Sequence, residues 1–228
     1  MRVVNDRRVK YREETKEEAK RIALEQLAEQ GVGGISVNAI AKRMGVTGPA
    51  LYRYFKNRDD LLNDLVRDAW SDLADQVEAA VEGTAGRPHR YRVHSFADAF
   101  RAWALAQPHR YLLLFGTPLP GYHAPHDTIA LAHRTMSAFL SVLDEASAAL
   151  PPVDRSWQAA DSPFARQLQE WAAARGEGGL HPTVLLTGLR AFTRLHGVLS
   201  LEVAGQFGPM GFDPALLYRA EVESLLPD

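Results

Sequence analysis

Between Ser36 and Arg58 (SVNAIAKRMGVTGPALYRYFKNR) two short helical periods sit on either side of a glycine, which leaves few folds open. Val37, Ile40, Ala41 and Met44 recur at helical spacing and make one apolar stripe on a helix that Ser36 can cap. Gly45 can take the positive φ that ends such a helix. Val46 then turns inward, and Thr47 suits the cap of a second helix. Pro49 falls in that helix's first turn, where no backbone donor is missed. Leu51 and Phe55, four residues apart, give the second helix its buried side. At about 100° per residue, Pro49, Tyr52, Arg53 and Lys56 point away from that side, while Ala50 and Tyr54 flank it.

A small helix that shows water cations, a phenol and a rigid apolar ring suits the major groove of DNA. Phosphates accept hydrogen bonds from Arg, Lys, Tyr and Thr, and thymine methyls accept apolar contact. The first helix would brace the second in a helix-turn-helix. Spacing alone also fits an ordinary helical hairpin with solvated charges. Charge bears on the choice. The whole chain carries a net charge of -2, yet residues 1–58 hold 13 Lys/Arg against 7 Asp/Glu, and the remainder hold 13 against 21. A basic head on an acidic body can lie on a polyanion with the body held off it.

The run from Val46 to Leu62 (VTGPALYRYFKNRDDLL) closely resembles the DNA-binding signature of the tetracycline-repressor (TetR) family. The likeness extends back through Ile35-Ser36-Val37 and Ile40-Ala41 and covers about residues 12–66. It implies an all-α chain: an N-terminal three-helix DNA-binding domain with a helix-turn-helix, and a C-terminal helical domain for ligand binding and dimerisation. Carried over by position, Thr47, Tyr52, Tyr54 and Arg58 match phosphate-contacting places, and Ser36 resembles another. Lys56 adds a cation on the exposed face. Asn38, Gly48, Pro49, Ala50 and Arg53 match places that can face bases. Gly48 departs from the pattern, because many relatives carry a Lys or another long polar side chain there.

In chain order, residues 1–12 (MRVVNDRRVKYR) carry five basic side chains with little periodicity and read as a disordered basic arm. Residues 13–58 form the helix-turn-helix domain and 59–228 the effector-binding and dimerisation domain. Thr15 with Glu18 reads as a capping box opening a helix to Gln30, with Ala19, Ile22, Ala23 and Leu27 inward. Asn57 caps a long helix to about Glu82, helped by Asp59 and Asp60 at its positive end. One rod would then serve both domains, and its tilt would move the second helix of the pair.

Helices are expected at Val93–Ala106, His109–Phe115, Thr128–Leu150, from Pro163 to about Arg175, at His181–Ala204 and after Asp213. Gly116–Asp127 is rich in Pro and Gly and long enough for a lid or pocket rim, and 153–162 reads as loop. Trp157 and Trp171 have no assigned face. The segment 181–204 is apolar on almost every side, so it needs cover on almost every side. Gly188 and Gly197 would admit a neighbouring helix closely. Leu195-His196-Gly197 resembles a TetR-type C-terminal subgroup named for a Trp-His-Gly motif, with Leu195 in the place of Trp.

Phe100, Trp103, Tyr111 and Phe115 could wall an effector pocket, with Arg190 and His196 as its polar part. Core aromatics, a hydrogen-bonded core histidine and interface ion pairs account for the same residues. His123, His126, Asp127 and His133 lack the helix that would aim two rings at one metal, so no metal site and no cofactor is expected. Neither the Gly-x-Ser-x-Gly turn nor a nucleotide loop occurs, and the chain is not expected to be an enzyme. With no cysteine and no apolar run near ~18 residues, a reducing cytoplasm is the expected setting, with no membrane insertion.

The resemblance implies a homodimeric repressor on a palindromic double-stranded operator, released by a small-molecule effector. The alternative is a ligand-independent DNA-binding regulator or activator with a closed C-terminal domain.

Overall fold

The computed structural model describes residues 2–116, 121–150 and 162–225. Among these there are ten α-helices and no strand: α1 Arg2–Gln30, α2 Val37–Arg43, α3 Gly48–Leu51, α4 Arg58–Glu82, α5 His89–Ala106, α6 Pro108–Phe115, α7 Asp127–Glu145, α8 Pro163–Ala173, α9 Pro182–Val203 and α10 Pro214–Glu223. Single 3-10 turns occupy Val32–Gly34, Ser147–Ala149 and Gly208–Met210. By compactness the chain divides into Met1–Trp70 with Gln107–Thr128, and Ser71–Ala106 with Ile129–Asp228. The first unit is therefore larger than the expected 13–58 segment. α4 is continuous and supplies its first half to one unit and its second half to the other.

In the first unit, Ala19, Ile22, Ala23 and Leu27 of α1 close on Ile35, Val37, Ile40, Ala41, Leu51, Phe55, Leu61, Leu62 and Leu65. The apolar stripes read from the sequence are the ones buried, with Met44 only partly so. The start of α1 is a correction. The helix runs through the stretch expected as a disordered arm, beginning at Arg2, because no Gly or Pro interrupts residues 2–30. Thr15 is consequently not a cap: its hydroxyl donates to the Tyr11 carbonyl at 2.8 Å from within the helix. Gly31, at φ +68, ends it.

α6 packs on α1 within this unit. Leu113, rather than the 42 % exposed Leu112, faces the helix-turn-helix core, and Tyr122 joins it there. The Tyr122 hydroxyl donates to Asn63 Oδ1 at 2.9 Å, and Arg67 Nε reaches Asp127 Oδ2 at 2.8 Å. The described part of the expected pocket rim is thus fastened to the first half of α4; residues 117–120 lie outside the described residues.

In the second unit, Phe96 stacks on Phe139 with ring centroids 4.4 Å apart, and Trp103 Nε1 donates to Asp72 Oδ2 at 2.8 Å. Arg134 pairs with Glu78 and Asp75, and Arg101 with Glu202. Gly188 meets the expected close approach: a Cβ there would lie 2.5 Å from Leu140 Cδ2. At Gly197 a Cβ would meet nothing within 4 Å. That side of α9, with Arg190, Thr193, Arg194 and Leu201, is exposed in the single chain, on a helix expected to need cover on almost every side. α7 ends at Glu145, short of the expected Leu150, and α5 starts at His89, ahead of Val93. Trp157 and nearly all of the expected 153–162 loop lie outside the described residues.

Candidate nucleic-acid interface

Ser36 ends the turn before α2 with extended backbone, and its hydroxyl accepts from Ala39 N–H at 3.3 Å. Its own N–H donates to Oε1 of the buried Gln26 at 3.0 Å. The cap is therefore tied to α1 as well as to α2. Gly45, at φ +68, reverses the chain toward Thr47. Thr47 takes the cap position of α3 by backbone geometry, but its side chain makes no capping hydrogen bond.

The second helix of the pair is shorter than the sequence suggests. Regular α-helix covers only Gly48–Leu51. The winding then tightens, with Arg53 N–H donating to Ala50 O at 3.4 Å and Tyr54 N–H to Leu51 O at 2.9 Å, before Phe55 N–H closes on Leu51 O at 3.1 Å. This one continuous turn still sends Leu51 and Phe55 inward, each at most 1 % exposed. It leaves Pro49, Tyr52, Arg53 and Lys56 exposed, with Gly48, Ala50 and Tyr54 half-buried.

Asn57 Oδ1 then accepts from Asp60 N–H at 2.8 Å while Asp60 Oδ2 accepts from Lys56 N–H at 3.0 Å. This reciprocal pair fixes where α4 starts and where Lys56 and the half-buried Arg58 emerge. Asn38 is exposed on α2, and its Oδ1 lies 2.9 Å from where a Cβ on Gly48 would sit. The expected base-facing and phosphate-facing residues therefore lie on α2, on α3, in the turns beside them and at the first residue of α4, around a single apolar core. They present hydroxyls, an amide and cations, the donor set that phosphates and base edges accept.

The residues expected to wall an effector pocket are distributed over both units. Phe100 and Trp103 are buried in the second unit's core. Tyr111 and Phe115 belong to the first unit, where Phe115 meets Trp70 edge-on at 5.2 Å and Tyr111 at 5.0 Å. Arg190 is exposed on α9. His196 is half-buried on the same helix, stacked on Phe192 at 5.6 Å, with Nε2 3.3 Å from Ser200 Oγ. Desolvation lowers its pKa below the ordinary imidazole value.

A cavity of about 220 Å³ lies elsewhere in the second unit. Met136 and Leu140 of α7 and Leu185 and Leu189 of α9 form two of its sides. Phe164, Gln167, Leu168 and Trp171 of α8 form the third. The 164–168–171 spacing was the signal for that face in the sequence.

Among the described residues no group of three or more His, Cys, Asp or Glu side chains could hold a metal ion. His123 and His126 are exposed, Asp127 pairs with Arg67, and His133 Nε2 lies 3.4 Å from Glu177 Oε1. No helix among the described residues is long and apolar enough to cross a membrane.

Comparison with known proteins accords with this geometry. Residues 21–65 match the family described as bacterial regulatory proteins, tetR family, and residues 93–225, more than half of the chain, match the tetracyclin repressor-like C-terminal domain. The HTH-type transcriptional regulator Rv1816 of Mycobacterium tuberculosis is 36 % identical over 203 residues, covering 88 % of this chain and 86 % of that protein. The crystal structure of SCO4313, described as a regulatory protein, superposes with a TM-score of 0.80 at 42 % identity, over 95 % of this chain and 97 % of that one. FadR of Bacillus subtilis, solved in complex with stearoyl-CoA, shares the fold with a TM-score of 0.55 at 18 % identity, over 92 % and 96 % of the two chains. A helix-turn-helix core with a polar, cationic outer face and a helical second unit, matched along most of its length by these relatives, places the chain in the TetR family of DNA-binding transcriptional regulators.

Proposed function

We propose that the chain is a homodimeric repressor that binds a palindromic operator and is released by a small molecule taken up in its second unit. The observation that carries the dimer is the open side of α9. Arg190, Thr193, Arg194, Gly197 and Leu201 follow one another at helical spacing and are exposed in the single chain. On and near α10, the adjoining helix, Leu216, Met210 and Phe212 are 67 %, 61 % and 47 % exposed. Apolar side chains beside a glycine that leaves open space form a surface suited to a second copy. A two-fold pair carries two copies of the Gly48–Phe55 turn, so its operator has two-fold symmetry.

In this reading Ser36, Thr47, Tyr52, Tyr54, Lys56 and Arg58 hold phosphates, while Asn38, Gly48, Pro49, Ala50 and Arg53 face bases. The continuity of α4 from Arg58 to Glu82 supports its role as the link by which an occupied second unit alters DNA binding. Footprinting of the purified protein on the intergenic DNA beside its own gene, across a salt titration, tests the proposal. A protected palindrome is expected. Only diffuse, strongly salt-dependent binding would count against a specific operator at that place, and a monomer in solution would remove the dimer.

A further inference from the structure

We propose that the cavity bounded by α7, α8 and α9 is a receptor for one compact, uncharged aromatic molecule of about the size of a fused two-ring system, and that it discriminates against fatty acids and acyl-CoA esters. The proposal rests on the effector reading only for its consequence at the operator. Its first support is the chemistry of the walls, which are aliphatic or aromatic apart from the Gln167 amide. Among the described residues no Lys, Arg or His contributes to them. A carboxylate or phosphate entering would lose its hydration without a charged partner.

Size is the second support. A dry apolar cavity of ~150 Å³ takes up benzene. At about 220 Å³ the present one has room for roughly half as much again, a second fused ring, and a long acyl chain would have to run out of its open side into water.

Rigidity is the third. Trp171 could close the space by turning inward, but its indole is clamped. The Arg175 guanidinium lies 4.9 Å from the ring centroid, and Arg175 Nη1 donates to the Trp171 carbonyl at 3.0 Å. The His133 ring abuts the indole edge-on at 5.8 Å, and His133 is itself beside Glu177. On the opposite side Leu140 is backed by Gly188 so closely that no Cβ fits between them. Two aromatic walls on α8, Phe164 and Trp171, suit a flat guest. Gln167 can donate to or accept from one polar substituent on it.

The test is isothermal titration of the full-length protein with 2-naphthol, naphthalene, octanoate and palmitoyl-CoA. Saturable uptake of one 2-naphthol per chain is expected, with octanoate and palmitoyl-CoA at least about tenfold weaker. Met136→Trp fills the space and is expected to weaken 2-naphthol by about tenfold or more while circular dichroism stays unchanged. If that variant loses helical signal, Gln167→Ala at an exposed position decides: a selective loss for 2-naphthol relative to naphthalene supports the assignment, and an unchanged ratio overturns it. No 2-naphthol uptake by the native chain, palmitoyl-CoA binding as tightly, or undiminished uptake by a folded Met136→Trp would each overturn it. Uptake without release of operator DNA upholds the cavity assignment and sinks the release reading instead.

Discussion

Asn38 Oδ1 occupies the space that a side chain at Gly48 would need, 2.9 Å from the position of its Cβ. The atom in the way is the far end of an exposed side chain. It can swing aside at little cost to the fold, but not without leaving its place on the outer face. Gly48 thus lets the Asn38 amide lie across the start of α3. An Asn amide can pair with both N6 and N7 of adenine, a contact worth about 1–3 kcal/mol of discrimination. We predict that Asn38→Ala and Gly48→Ala relax preference at the same base position of each half-site, with a melting temperature unchanged within error. Binding-site selection from a random library checks this; relaxation at two different positions would show that the residues act independently.

Salt dependence separates the polar contacts from the charged ones. Tyr52 is 42 % exposed on the outer face, and only its hydroxyl can serve a phosphate as a donor. Tyr52→Phe should cost about 0.5–1.5 kcal/mol of operator affinity at every salt concentration. Lys56→Ala should weaken binding and also reduce the slope of log affinity against log salt by about 0.9, one released counterion fewer. Gel-shift titrations from low to moderate salt check both. Equal slopes for Lys56→Ala and the native protein would remove Lys56 from the phosphate contacts.

The helix-turn-helix core was legible because its neighbours are close in sequence. Leu27, Ile40, Leu51 and Phe55 are brought together by short loops, and the 3.6-residue period names the inward side of each helix. What the period does not name is the partner. The stripe around Tyr111 and Phe115 marks α6 as half-buried, but nothing local says that it packs on α1. A cavity is still less legible, since it is a shortfall of volume summed over three helices and resides in no single residue. At the N-terminus, five basic side chains suggested an arm, while the absence of any helix breaker proved the stronger local signal.

Gly188→Ala should couple packing to ligand uptake. The new methyl meets Leu140 Cδ2 at 2.5 Å, and Leu140 also lines the cavity, so the side chain has free space to enter. Overpacking a closed core costs about 1–3 kcal/mol. With an adjacent void the loss should fall near the lower end, about 1 kcal/mol, because the strain relaxes as the cavity shrinks. Urea unfolding and 2-naphthol titration of the same variant check the two halves. A large loss of stability with unaltered uptake would mean that Leu140 moves away from the cavity or not at all.

His196 gives the chain a defined response to acid. Desolvation on α9 lowers its pKa below 6.5, so the folded chain holds the ring neutral where an unfolded chain would begin to protonate it. The unfolded state then binds more protons as the pH falls below about 6.5, and this contribution to stability, fully present above that value, is lost on descending through the folded pKa. Phe192 stacks on the ring with an interplanar angle of 7°, and Ser200 Oγ lies 3.3 Å from Nε2, so a neutral polar replacement of similar size should retain the packing. His196→Gln is therefore expected to match the native chain near pH 7.5 and to lose less stability between pH 6.5 and 5. Urea midpoints measured at both ends of that interval check it. A native chain that loses no more than the variant would show that the ring is hydrated, or that a second copy at α9 supplies a partner that favours its charge.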